Sequence, residues 1–156
     1  MAEYQGNFNE RTREVIAAAH ESARRNGAAC TTTRHLVTEL WQDQSATLSH
    51  VVASLAVQMD QLQQGMNGTR EECRPPTQSG SDPQFSAEAR AALMLAMTSA
   101  RELGHNYVGP AHLVLGLVRE EEGAAGRALR HAGVDVDDAT AAVRRFVPAR
   151  RDDPAA

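Results

Sequence analysis

The chain has 156 residues, 42% of them hydrophobic and 4% aromatic, with a formal net charge of −4 at pH 7. That length supports one domain, or two small halves sharing a core, and an apolar set built on Ala, Leu and Val suits close-packed helices better than a β-sandwich. The negative balance argues against binding nucleic-acid phosphates, which needs a basic face. All 16 basic residues are Arg, so a P-loop lysine or a Schiff-base lysine is excluded within these residues.

The N-terminal stretch MAEYQGNFNERT is polar and lacks the apolar core of a secretory signal. The apolar runs are too short to span a bilayer. These features predict a cytoplasmic protein whose two cysteines, Cys30 and Cys73, stay reduced; they form no C-x-x-C pair.

A first helix is expected from about Asn9 to Asn26, with Thr12, Val15, Ile16, Ala19 and Ala23 on one face. Gly27 suits the stop, since glycine tolerates the left-handed conformation there. Thr31 to Thr33 offer N-caps to a second helix, about Arg34 to Gln42, that buries Leu36, Val37, Leu40 and Trp41. A third helix, about Ala46 to Ala56, carries Leu48, Val51, Val52 and Leu55 on one stripe, and a short fourth runs from about Met59 to Met66.

Residues 67–84 are rich in Pro, Gly and Ser, have no periodicity, and read as an exposed linker. A fifth helix is expected from about Ser86 to Leu103, with Ser86 as N-cap. Pro110 suits the first turn of a sixth, where its missing N–H costs nothing. A seventh (about Gly123 to Ala132) and an eighth (about Asp135 to Phe146) follow, separated by Gly133. The residues from Pro148 to Ala156 read as a frayed tail.

The second series repeats the first at a fixed offset of 77 residues, from Phe8 to Phe85. In that register Arg13 matches Arg90, Ala19 matches Ala96, Gly27 matches Gly104, and His35-Leu36-Val37 matches His112-Leu113-Val114. A duplicated helical unit predicts a pseudo-twofold, all-α domain with a seam between its halves. The boundaries are an N-terminal arm (1–7), a first repeat (8–66), a linker (67–84), a second repeat (85–147) and a tail (148–156).

The segments Gly104-His105-Asn106-Tyr107-Val108-Gly109 and His112-Leu113-Val114-Leu115-Gly116-Leu117 resemble the Clp N-terminal repeat domain, found at the start of ClpA- and ClpC-type AAA+ unfoldases. The likeness covers about Phe8 to Val147, and the first repeat is the more diverged. It implies two four-helix Clp repeats, about eight helices, related by a pseudo-twofold axis. The family receives substrates and adaptor proteins for ATPase modules. No G-x-x-x-x-G-K-[ST] loop occurs in these residues, so the expectation is a free-standing, monomeric, non-enzymatic N-domain that binds a Clp unfoldase, an adaptor or a substrate protein.

The resemblance also points to residues. ClpC-type domains usually carry Thr-Glu-His at the start of the second helix of each repeat, and the carboxylate there pairs with the guanidinium of a phosphoarginine. Here the triplets are Thr33-Arg34-His35 and Pro110-Ala111-His112. Arg34 and Ala111 thus stand where the carboxylates would be, and phosphoarginine recognition is expected to be lost. In the same family a seam surface binds cyclic-peptide antibiotics. The matching positions are Arg13, Ile16, Ala17 and His20 on the first helix, with Phe85, Arg90, Leu93 and Met94 in the second repeat; Tyr4 matches an N-terminal aromatic. A decoy or immunity protein that sequesters such a peptide is the alternative reading.

Each candidate has a plainer explanation. Phe8 and Phe85 also read as hydrophobic staples or core anchors, and Ile16 and Leu93 fall on core faces. His35 and His112 lack a second ligand at i+4, so capping hydrogen bonds explain them better than a metal or an enzymatic role. His20-Glu21 begins like H-E-x-x-H but continues Ser22-Ala23-Arg24, so the zinc-protease motif fails. Glu120-Glu121-Glu122 resembles part of the family's acidic loop between the second and third helices of a repeat, and a solvated turn explains it equally well. No catalytic residue, metal site or cofactor is expected.

Overall fold

The computed structural model describes residues 8–42, 46–67 and 84–147. The arm, most of the linker, the tail, Tyr4 and Cys73 lie outside the described residues. Eight helices stand among those described: α1 (Glu10–Arg25), α2 (Thr33–Gln42), α3 (Ala46–Leu55), α4 (Met59–Met66), α5 (Ala87–Glu102), α6 (Pro110–Arg119), α7 (Ala124–His131) and α8 (Val136–Phe146). Two short strands, β1 (Cys30–Thr31) and β2 (Gln84–Phe85), were not expected. Two-residue strands carry no periodicity, and only their tertiary pairing defines them.

The 77-residue offset governs detail as well as sequence. Asn9 and Ser86 are equivalent N-caps whose side chains accept from the backbone N–H of Thr12 and Ala89. Gly27 and Gly104 end α1 and α5 with φ of 69° and 75°. Leu36, Leu40, Leu113 and Leu117 are all fully buried, and each contributes about 1.5–3 kcal/mol by leaving water. One continuous hydrophobic cluster takes residues from both repeats.

The repeats interlock across the axis. β1 pairs in parallel with β2, Thr31 opposite Phe85, and Phe8 forms a parallel bridge with Val108. Thr31 and Val108 are equivalent positions, as are Phe8 and Phe85. The residue leading into each repeat is therefore held by the other repeat's loop. Helices cross over in the same way: α4 packs on α7, and α3 on α8. Gly65 makes the first crossing close, since a Cβ there would lie 2.9 Å from the Ala128 Cβ.

Three expectations need correction. Trp41 is only half-buried, packed against the core with its indole N–H donating to the Val57 carbonyl at 3.0 Å. Glu120 is buried and not solvated; its carboxylate accepts from the backbone N–H of Gly123 (2.5 Å) and Glu122 (3.0 Å), which caps the approach to α7. Cys30 is buried and disulfide-bonded, not a free thiol. No helix among the described residues is long and apolar enough to cross a membrane.

Candidate functional site at the repeat seam

The seam is organised around β2. Pairing with Thr31 fixes the Phe85 backbone, and the Ser86 N–H donates to the Thr31 carbonyl at 2.9 Å. The Phe85 side chain packs against His20 of α1, ring centroids 4.7 Å apart and tilted by 42°. His20 Nδ1 is hydrogen-bonded to the Thr31 hydroxyl at 2.6 Å. One strand pair thus holds an aromatic–imidazole contact between α1 and the start of α5.

The other candidates fall into equivalent pairs. Ile16 and Leu93 are both buried in the core and are not groove surface. The family resemblance placed them at the groove, while the i, i+3, i+4 spacing sets them on the inner face of their helices. Ala17 and Met94, one step further round, are exposed; Met94 is 55% exposed, the largest such value among the described large hydrophobics. Arg13 is exposed and Arg90 half-buried, and neither makes an ion pair among the described residues. Phe85 is 8% exposed, so it is chiefly an anchor whose edge meets the seam.

The spacing of three and four residues sets Arg13, Ala17 and His20 on one stripe of α1, and Arg90 and Met94 on one stripe of α5. Each stripe thus sets a guanidinium beside a small or apolar side chain of its own helix, Arg13 beside Ala17 and Arg90 beside Met94. In the first turn of α5, Glu88 adds a carboxylate whose Oε2 is buried without a hydrogen-bond partner among the described residues. Nothing in the sequence distinguished Glu88 from an ordinary first-turn acid.

Arg34 and Ala111 are taken up by the fold. The Arg34 guanidinium donates to the Met66 carbonyl at 2.6 Å, capping the C-terminus of α4. Ala111 is buried against the core. Neither offers a carboxylate to an incoming guanidinium. Thr33 caps a distant helix: its hydroxyl accepts from the Ala125 N–H of α7 at 3.1 Å.

His35 and His112 do the local capping. His112 Nδ1 accepts from the Gly109 N–H at 2.8 Å, and His35 Nδ1 accepts from the Thr32 N–H at 3.0 Å. His112 Nε2 also meets His105 Nδ1 at 2.6 Å. Burial, with the nearby His105 adding to it, pushes the His112 pKa down to about 3. Among the described residues no group of three or more His, Cys, Asp or Glu could hold a metal ion.

Comparison with known proteins agrees with the interlocked repeats. Residues 7–96 and 84–153 match the Clp repeat (R) N-terminal domain family. The chain is 33% identical over 134 residues to the chaperone protein ClpB of Oceanobacillus iheyensis. It is 31% identical over 134 residues to the negative regulator of genetic competence ClpC/MecB of Bacillus subtilis. Each alignment takes in 86% of this chain and 16% of the relative, so the chain spans about a sixth of the length of these relatives. The N-terminal domain of ClpD from Arabidopsis thaliana shares the fold, with a TM-score of 0.63 at 21% identity, covering 89% of this chain and 93% of that one. The chain therefore belongs to the Clp repeat N-terminal domain family.

Proposed function

We propose that these residues bind polypeptide at the α1–α5 seam, receiving a substrate or an adaptor and thereby modulating a ClpC-type protease. The observation that carries this reading is the exposed Met94 of α5 together with the Phe85–His20 contact, with Arg13 and Arg90 making no ion pair among the described residues. An unbranched thioether adapts to different apolar partners, and guanidinium groups without ion pairs among the described residues suit acidic or carbonyl-rich segments. Loss of phosphoarginine recognition is part of this reading, supported by the Arg34 bond to the Met66 carbonyl and the burial of Ala111. A binding role fits this arrangement better than catalysis.

The test is a fluorescence titration of an unfolded, labelled protein with the wild-type chain and with Met94→Glu. A charge at an exposed position leaves the fold intact and should weaken binding about tenfold, the equivalent of about 1.4 kcal/mol. Equal affinities would remove the seam from the reading.

Capture of a cyclic peptide is the second reading, favoured by the buried Phe85 anchor held against His20 and by the exposed, flexible Met94 in the same repeat. Sequestration would lower the free peptide by mass action. Calorimetry with a ClpC-directed cyclic peptide separates the two: tight binding lost in Phe85→Ala supports the decoy, and no heat of binding removes it.

A further inference from the structure

The end of α5 and the loop to α6 line an open cavity of about 370 Å³, independent of the seam reading. Its apolar lining comes from Met97, Ala100 and Val108, and its polar lining includes Arg101, His105 and Asn106; no carboxylate lines it among the described residues.

The protons on the two histidines are fixed by the backbone. His112 Nδ1 accepts the Gly109 N–H at 2.8 Å, so in the neutral ring the proton sits on Nε2. That Nε2–H faces His105 Nδ1 at 2.6 Å, and His105 Nδ1 must accept it. Neutral His105 therefore carries its own proton on Nε2, and no partner engages that nitrogen among the described residues. Arg101 stands in the last turn of α5, is exposed, and makes no ion pair among the described residues. Among the described residues, the cavity is thus lined by a guanidinium without an ion pair and by an imidazole whose N–H has no partner, together with apolar side chains.

From this arrangement we infer that the cavity binds a carboxylate carried on a small apolar group, the chemistry of a peptide's C-terminal residue. Two oxygens match two donors, and the apolar group covers the Met97, Ala100 and Val108 surface that a bare anion would leave in water. His112 is a positioning residue: it sets the His105 tautomer and does not touch the ligand.

The full ¹⁵N-labelled chain would be titrated with N-acetyl-leucine, N-acetyl-leucinamide and acetate while amide shifts are followed. Saturable shifts confined to residues 104–108 are expected with N-acetyl-leucine, about tenfold weaker with the amide, because a charge-assisted bond is lost. Arg101→Gln should weaken N-acetyl-leucine by a similar factor with an unchanged melting temperature. Equal binding of acid and amide, an unaffected Arg101→Gln, acetate binding as well as N-acetyl-leucine, or the absence of saturable shifts would each overturn the proposal.

Discussion

His112 gives its Nε2 proton to Nδ1 of His105 across 2.6 Å, and the direction of that bond is set by the Gly109 amide on the far side of the His112 ring. A second proton on His112 would have to displace the Gly109 N–H. Protonation of His105 at Nδ1 would set two N–H groups against each other.

Folding stability should accordingly fall in mild acid. His112 is depressed from 6.5 to about 3 in the folded chain, and burial also lowers His105. Between those two values the unfolded chain binds more protons than the folded one. The stabilisation is complete above pH 6.5 and is lost as pH falls below it, by up to about 1.4 kcal/mol per pH unit for one site. Urea unfolding at pH 7 and pH 5 checks this; His112→Asn should flatten the difference. A variant as acid-sensitive as the wild type would refute the assignment.

Ala56 and Gly133 are equivalent positions, with φ of 57° and 99°. A left-handed conformation costs a non-glycine residue about 1–2 kcal/mol, while glycine costs entropy in the unfolded chain. Gly133→Ala should therefore destabilise by about 1 kcal/mol, although no atom lies within 4 Å of the added Cβ. Ala56→Gly should be neutral or slightly stabilising. Denaturation midpoints moving in the same direction by the same amount would contradict this.

Gly116 lets α6 press on α5. A Cβ there would strike the Ala92 carbonyl oxygen and lie 2.8 Å from the Ala96 nitrogen. Both are backbone atoms that cannot rotate away. Gly116→Ala should cost about 1–3 kcal/mol through helix displacement, read as a lower melting temperature. A melting temperature equal to that of the wild type would mean the helices separate freely.

Arg130 closes the end of α6. Its guanidinium donates to the carbonyls of Val118 (2.8 Å), Glu120 (3.0 Å) and Glu121 (2.9 Å). Arg130→Met keeps most of the side chain's length and removes the donors, so a loss of about 2 kcal/mol is expected. Hydrogen exchange should quicken at the end of α6 and leave α1 unchanged; uniform exchange changes would argue against a local cap.

The helices were legible because their signals are local. Ser86 and Gly104 bracket α5, Pro110 opens α6, and the offset let each repeat check the other. What escaped was non-local. Phe85 and Thr31 pair through residues 54 positions apart, Thr33 caps a helix 92 residues away, and Arg34 finds Met66 across the first repeat. A helical wheel also cannot separate a groove from the core beneath it. Ile16 and Ala17 are neighbours in sequence, yet one is buried and the other exposed. The Cys30 disulfide likewise depends on spatial proximity that spacing does not encode.

The crossed bridges have the pattern of an isologous contact inside a single chain. Phe8 meets Val108 and Phe85 meets Thr31, so the same two positions of the repeat meet twice with their roles exchanged. That is how two identical subunits join in a twofold homodimer; here the two copies are covalently fused. Fusion frees each copy from having to suit both places at once. Met94 can protrude where Ala17 lies flat, and Thr33 can cap a neighbour where Pro110 merely begins a helix. The seam is thereby released from symmetry, and one chain can present two different faces to one asymmetric ligand.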